Sequence, residues 1–521
     1  MQDKDESGIL TPEVQPNVLG GRAVAKQTVC LIIPPSPFLL DERVFPFLGL
    51  LKVAGTLEQA GYTVEVVDLS AIKNYLEVIE DHVRTSSARH YGITATTPQF
   101  PNAVEIARTI RTHRPDARLI LGGTHATLVV AACRYDNERG RVGRAQRDYA
   151  PLAENFDVVV AGDGETLIFP ALEDDAPQLI DGDNRRSPYF LTDERLDATP
   201  LPARHLIDLT TYKYAIDGVP AHSLITQLGC PYKCGFCAGR NSPMLRNIRL
   251  RSEEGVVEEM VHLYSTYGTR GFMFYDDELN VNPGMVELMQ RIARTQRELG
   301  TTWKLRGFVK SERFTDEQAA ALYEAGFRQL LIGFESGSPR ILENIQKLAT
   351  QAHNSRCMDI ARRHDLKVKA LMSVGHPGES GTTVDETRRW LLDARPFDFD
   401  VTIITPYPGS PYYDQATPQP SSGGGRAVWM YEARSGDRLY QEEVDYVREA
   451  DYYKGDPNDG YVSHVWTDHL DRDELVARRN ALEDNVREKL GIPFNPSRES
   501  FLYEHSMGQS PPRHIVRSTS D

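Results

Sequence analysis

The stretch LITQLGCPYKCGFCAGR, residues 224–240, sets Cys230, Cys234 and Cys237 at the spacing C-x3-C-x2-C. The 521-residue chain has only six cysteines, so half of them fall in this one short loop. Thiolates are soft ligands that suit zinc or an iron–sulfur cluster. A closed zinc site needs a fourth ligand at short spacing. The nearest candidates, His222 in the preceding strand and His262 on a later helix, do not have it. Three cysteines can instead hold a [4Fe–4S] cluster and leave one iron open to a small molecule. Pro231 and Gly235 suit a tight loop wound round such a cluster.

Downstream of the loop the pattern alternates. Apolar segments with polar C-terminal ends recur at GFMFYDDELN (271–280), TTWKLRGF (301–308), FRQLLIGFESGS (327–338), LKVKALMSVGHPGE (366–379) and FDFDVTIITPYPGS (397–410). Helical stretches such as 252–268 and 315–326 separate them. With AHSLITQLG (221–229) in front, six strand–helix units predict a partial (β/α)6 barrel, whose chemistry belongs on the loops after the strands. Upstream, TVCLIIPP (28–35), YTVEVVDLS (62–70), YGITAT (91–96), ARLILGG (117–123) and FDVVVAG (156–162) alternate with helical patterns at 45–61 and 102–113. That series predicts an open, Rossmann-like parallel sheet, which binds ligands beyond the carboxyl ends of its strands. The expected organisation is a disordered leader over 1–26, a first domain over 27–174, a linker over 175–220 and the barrel over 221–415. A small, mainly helical region follows over 416–505, with a helix at 471–491, and a disordered tail over 506–521.

The formal charge of −15 disfavours a nucleic-acid partner, whose affinity would rest on Lys and Arg contacts to phosphates. No apolar run is long enough for a membrane span, and the N-terminus lacks the apolar core of a signal peptide. The expected setting is cytoplasmic, with no membrane partner. Cys30, Cys133 and Cys357 stand alone in apolar or helical contexts and read as core residues.

With its C-x3-C-x2-C loop after the first barrel strand, the chain resembles the radical S-adenosylmethionine (SAM) superfamily. The resemblance implies that Cys230, Cys234 and Cys237 hold a [4Fe–4S] cluster whose open iron chelates SAM, with Phe236 beside it. It also implies SAM contacts from Asp276, Asp277 and Glu278 after the second strand, from Glu335 in GFESGS, and from Gly375 and His376 in VGHPGE. The first domain resembles the cobalamin-binding domain that precedes some radical SAM barrels. Its implied cofactor loops carry Thr96 and Thr97, then Gly122, Gly123, Thr124, His125 and Thr127, then Gly162, Gly164 and Glu165. The D-x-H-x-x-G motif that supplies a lower cobalt ligand in mutases is absent. His125 therefore reads as a cofactor-edge contact and not as a cobalt ligand.

Together the resemblances cover roughly residues 27–415 and imply a cobalamin-dependent radical SAM methyltransferase. Such an enzyme methylates an unactivated carbon of a small, natural-product type substrate through a 5′-deoxyadenosyl radical and methylcobalamin, with a flavodoxin- or ferredoxin-type electron donor. The alternatives are a non-methylating rearrangement, cyclisation or oxidation, and a cobalamin-binding protein with an inactive barrel. Arg249, Arg251 and Arg306 are further candidates for an anionic group on SAM or substrate, or else for ion pairs. Tyr452 and Tyr453 are candidates for a lid, or else for packing between tail and barrel.

Overall fold

The computed structural model describes residues 27–36, 39, 42–141, 143–420, 425–453, 460–493 and 515–520. Its first sheet contains β1 (Thr28–Ile33), β2 (Thr63–Asp68), β3 (His90–Thr94), β4 (Arg118–Gly122), β5 (Val158–Ala161) and β6 (Leu179–Asp181). These strands are parallel and lie in the order β2-β1-β3-β4-β5-β6, so the winding reverses between β1 and β3. Ligands of such sheets bind outside the strand ends near that reversal. Both faces are covered, which explains the continuous apolar runs. Val29, Leu31 and Ile33 point to one core with the helices Leu48–Gln59 and Gly164–Ala171. Cys30 and Ile32 point to the other, with the helices Tyr75–Thr85 and Phe100–His113.

The second sheet opens with the hairpin β7 (Ala215–Ile216) and β8 (Val219–Leu224). After β8 the chain forms a two-residue antiparallel ladder, β9 (Gln227–Leu228) with β10 (Arg249–Leu250). The sheet continues through β11 (Gly271–Phe274), β12 (Lys304–Phe308), β13 (Phe327–Glu335), β14 (Lys367–Val374) and β15 (Asp398–Ile403), all parallel to β8. Six parallel strands in sequence order, each followed by a covering helix, make the expected partial barrel. Alternation sorts its side chains: Leu330, Ile332 and Phe334 of β13 join the core beneath the outer helices, while Leu331 joins Met273 and Tyr214 on the other face.

Three parts differ from the expectations. The 175–220 segment is folded, not a free connector. It supplies β6, the helix Asp193–Asp197 and the buried Asp183 and Arg204. Arg204 pairs with buried Glu259 at 2.6 Å and donates to Ser223 O, so an ion pair inside the protein fixes the segment. The region after 416 is not mainly helical. Beside the helix Arg472–Leu490 it forms a four-stranded antiparallel sheet of β16 (Thr417–Gln419), β17 (Val428–Glu432), β18 (Arg438–Glu442) and β19 (Val465–Thr467). Its short strands, split by glycine- and charge-rich turns, carry little periodic signal. Within the tail read as disordered, β20 (Val516–Ser518) pairs antiparallel with β2 and satisfies the open edge of the first sheet. The leader 1–26 and residues 494–514 and 521 lie outside the described residues.

Candidate functional site

The cysteine loop leaves the C-terminal end of β8 and is tied at its base. Gly229 adopts φ +84°, and a Cβ there would come within 2.1 Å of Asn247 O, so only glycine lets the loop's two ends meet. Cys230 N–H donates to Leu245 O at 3.0 Å, and Gly235 N–H donates to Ile345 O at 2.7 Å. All three loop thiols are free; Cys234 is buried, Cys230 half-buried and Cys237 open to solvent. Burial raises the Cys230 thiol to about 11, and the carboxylates of Asp277 and Glu278 push the same way. Burial also raises Cys234, which Lys347 and Lys310 oppose. A bound metal cation would drive these raised thiols to the thiolate form that ligates it.

The expected SAM-side residues separate into two groups. Asp276 is fixed in the framework: its buried carboxylate accepts from Thr226 N–H at 2.7 Å and Gln227 N–H at 2.6 Å. Asp277 is exposed and Glu278 half-buried, and both are close enough to the cysteines to shift them. Glu278 Oε2 has no hydrogen-bond partner among the described residues. Burial raises this carboxyl to about 7 despite Lys347 and Lys310.

Glu335 ends β13 at φ +65°, next to a register shift between Gly333 and Glu335. Such a bulge turns a side chain that regular pleating would aim elsewhere, and left-handed backbone at a non-glycine residue is costly. Glu335 accepts from Lys347 Nζ at 2.9 Å and from Ser373 Oγ at 2.9 Å. Burial alone would raise it, but Lys347 holds it below the usual carboxylate range. His376 is fully buried, with Nε2 2.8 Å from Ser373 Oγ and Nδ1 3.4 Å from Tyr412 OH. Burial lowers the imidazole to about 4, so it is neutral at physiological pH. Gly375 turns the chain ahead of it at φ +91°, and Phe236 meets the imidazole edge-on at 5.4 Å. The structure therefore joins Phe236, Glu335 and His376 through Ser373, Lys347 and Tyr412. Sequence reading missed these three; in the structure, positive φ at Gln346 and Leu348 forms the tight turn that presents Lys347.

Lys310 completes this side, its ammonium 4.0 Å from the centre of the Tyr232 ring. Arg249 and Arg251 are instead committed to buried pairs with Asp163 and Glu259. Arg306 lies toward the N-terminal ends of the strands, on a cavity of about 330 Å³ shared with Gln329, Lys369 and Asp398.

In the first domain, Gly123 and Thr124 are exposed at the start of the helix Thr124–Asn137. A Cβ at Gly122 would face open space, whereas one at Gly123 would strike Thr94 Oγ1 at 2.6 Å. Thr96 caps the turn at Gln99. Thr127 is turned inward, donating to Gly123 O at 3.1 Å and accepting from Gly162 N–H at 3.2 Å. His125 is fully buried, Nδ1 3.2 Å from Thr97 Oγ1, its ring 4.3 Å from Phe100 and covered by Tyr446 at 6.1 Å. Burial lowers it to about 3. The Gly162–Glu165 loop docks the domains: Asp163 lies between Gly162 and Gly164 and takes Arg249 NH1 at 2.7 Å on both oxygens. Glu165 is buried, and desolvation raises its carboxyl.

Gly409, just past the end of β15, links both loops. A Cβ there would lie 3.2 Å from Leu128 in the first-domain helix and 3.4 Å from Gly239 N in the cysteine loop. The tail closes the same junction as packing: Tyr452 is buried in the first domain's second core, and its carbonyl accepts from Thr405 Oγ1 at 2.7 Å.

Residues 224–391 match the family model of the radical SAM superfamily, and residues 42–143 match that of the B12 binding domain. The chain belongs to the radical SAM enzymes that carry a cobalamin-binding domain. It is 27% identical over 407 residues to an uncharacterized methyltransferase, PH0819, of Pyrococcus horikoshii, covering 74% of this chain and 83% of the relative. It is 24% identical to an anaerobic magnesium-protoporphyrin IX monomethyl ester cyclase of Cereibacter sphaeroides, covering 72% of this chain and 61% of that one. In fold it is similar to the radical SAM methyltransferase TsrM of Kitasatospora setae, whose solved structure holds cobalamin and a [4Fe–4S] cluster. That match has a TM-score of 0.58 at 18% identity and covers 76% of this chain and 81% of that one.

The cofactors of this radical SAM enzyme are a [4Fe–4S] cluster, SAM and cobalamin. The residues present fit them. Three free thiols next to two lysines suit an anionic thiolate-bound cluster, and the open backbone at Gly122–Thr124 lets a large flat ring approach. Among the described residues no helix is long and apolar enough to cross a membrane.

Proposed function

We propose that this radical SAM enzyme is a cobalamin-dependent methyltransferase acting on an unactivated carbon of a small, natural-product type molecule. The observation that carries the reading is the convergence at Gly409, where the cysteine loop and the first-domain helix share one contact. When bound, the cluster with SAM supplies hydrogen-atom abstraction and cobalamin supplies a transferable methyl group. The chain's own residues do the rest. Cys230, Cys234 and Cys237 bind the cluster, and Asp277, Glu278 and Glu335 orient SAM. His376 and Phe236 form the wall behind it. Gly122, Gly123 and Thr124 admit the corrinoid, while Thr96, Thr97, His125, Thr127, Gly162, Gly164 and Glu165 shape its support from beneath.

Met273, Phe308, Leu331 and Leu371 form an apolar cluster on the inner face of the barrel sheet, and Phe45 from the first domain packs against it. A flavodoxin- or ferredoxin-type protein supplies the electron.

The test is anaerobic turnover with SAM deuterated in its methyl group. A product heavier by the labelled methyl, with 5′-deoxyadenosine formed alongside, supports the reading. 5′-Deoxyadenosine with an unlabelled, rearranged or oxidised product contradicts it. That second result fits the non-methylating alternative, with which the similarity to a cyclase is compatible.

A further inference from the structure

A second group of metal-binding side chains lies in the first domain, outside both cofactor loops. Cys30 of β1 stands between Glu65 of β2 and Tyr91 of β3 in register, so the three side chains form a row on one face of the sheet. His82 comes down on this row from the helix Tyr75–Thr85. Its Nε2 lies 3.4 Å from Cys30 Sγ and 3.1 Å from Glu65 Oε2, and one ligand atom from each residue falls within 4.8 Å of the others. Cys30 is fully buried, His82 nearly so and Glu65 half-buried.

Hydrogen bonds alone serve this trio poorly. A single ring nitrogen faces both a sulfur and a carboxylate oxygen and has only one proton or one lone pair to offer. Ser86 Oγ already donates to Glu65 at 2.6 Å, as the outer partner of a ligating carboxylate does. Tyr91 closes the row: its hydroxyl is buried against Ser86 and lies close enough to Cys30 and Glu65 to be shifted by both. Atoms bound to one tetrahedral zinc at about 2.0–2.3 Å stand roughly 3.2–3.6 Å apart, close to the two distances that His82 Nε2 makes here.

We propose that Cys30, Glu65 and His82 bind one zinc ion, with water in its fourth position, and that the ion ties the helix Tyr75–Thr85 to the sheet. The sulfur–metal bond forms as the Cys30 thiol gives its proton to solvent, and no oxidation accompanies it. The mixed sulfur, nitrogen and oxygen set favours zinc over magnesium or calcium.

The test uses the full-length protein, incubated with zinc sulfate, dialysed against a chelator and analysed for metals. We expect one zinc per chain, retained in the Cys230→Ser/Cys234→Ser/Cys237→Ser variant and lost in Cys30→Ala and His82→Ala. Zinc X-ray absorption should show a single sulfur at about 2.3 Å beside lighter atoms at about 2.0 Å. If Cys30→Ala does not fold, cobalt(II) replaces zinc as the probe. The wild type should show a thiolate-to-cobalt absorption band that Cys30→Ser lacks. The proposal is overturned if no zinc survives dialysis, or if zinc disappears with the loop cysteines. Zinc retained in full by His82→Ala, or a cobalt band that persists in Cys30→Ser, overturns it as well.

Discussion

Replacing Arg249 by methionine tests how the two halves are held together. Arg249 NH1 lies 2.7 Å from each oxygen of Asp163, and the two side chains are 4% and 3% exposed. Arg249 NH2 also donates to Met244 O at 2.8 Å. Methionine fills the stem's volume but leaves the Asp163 carboxylate buried with Leu191 N–H, 3.0 Å away, as its one remaining partner among the described residues. Stranding a buried charge costs about 3–5 kcal/mol. In the double variant Arg249→Met/Asp163→Asn the charge is gone and the amide oxygen still accepts from Leu191. The remaining loss should be about 1–2 kcal/mol, as for an imperfectly satisfied neutral group. The double variant is thus more stable than Arg249→Met alone, the sign expected of a coupled pair.

Urea unfolding of wild type, both single variants and the double variant, followed by tryptophan fluorescence, measures the cycle. A cost below about 1 kcal/mol for Arg249→Met, or a double variant no more stable than it, would refute the reasoning. Because Asp163 sits inside the Gly162–Glu165 loop, Arg249→Met should also lower cobalamin uptake while leaving iron content intact.

Gly122→Ala places a methyl group in open space and should leave stability unchanged while weakening cobalamin binding. Gly123→Ala meets Thr94 Oγ1 at 2.6 Å with φ at +93°, and should cost about 1–2 kcal/mol of stability as well. Corrinoid titration and thermal unfolding separate the two variants. Lys347→Met removes the ammonium that holds Glu335 low, so burial then raises that carboxyl. SAM affinity in the variant should fall at least about tenfold and fall further as pH drops from 8.5 to 6.5, by calorimetric titration, while wild type stays flat. Parallel pH curves would count against it. Burial raises Asp276 to about 7, so its stabilising neutral form is lost as pH rises from about 4 to 7. Asp276→Asn keeps the acceptor for Thr226 and Gln227, and its stability relative to wild type should grow by about 2 kcal/mol between pH 5.5 and 8. A shrinking difference in urea midpoints would contradict this.

Short apolar strands that stop at a polar turn were legible in the sequence, and so was the cysteine loop. Spacing alone marks three thiols that must converge. The region after 416 was harder, because strands of three to five residues joined by turns give too few periods to register. Positions in the sites were read better than the directions of their side chains. Thr127 and His125 follow a glycine pair as expected, yet helix geometry turns one back on Gly123 O and buries the other under Tyr446. Asp276, Asp277 and Glu278 look alike as a string, and only the three-dimensional turn commits the first to backbone amides. Lys347 pairs with a residue twelve positions away through a strained turn, and no local pattern announces it.

In the proposed enzyme the iron–sulfur cluster and the corrinoid face each other across the junction at Gly409. Electron paramagnetic resonance of the anaerobic protein, carrying the reduced cluster together with cob(II)alamin, tests it directly. Spectra broadened or split by coupling between the two spins, and restored to separate signals when either cofactor is left out, are the expected result. Two signals that simply add, with both cofactors bound in full, would contradict the account.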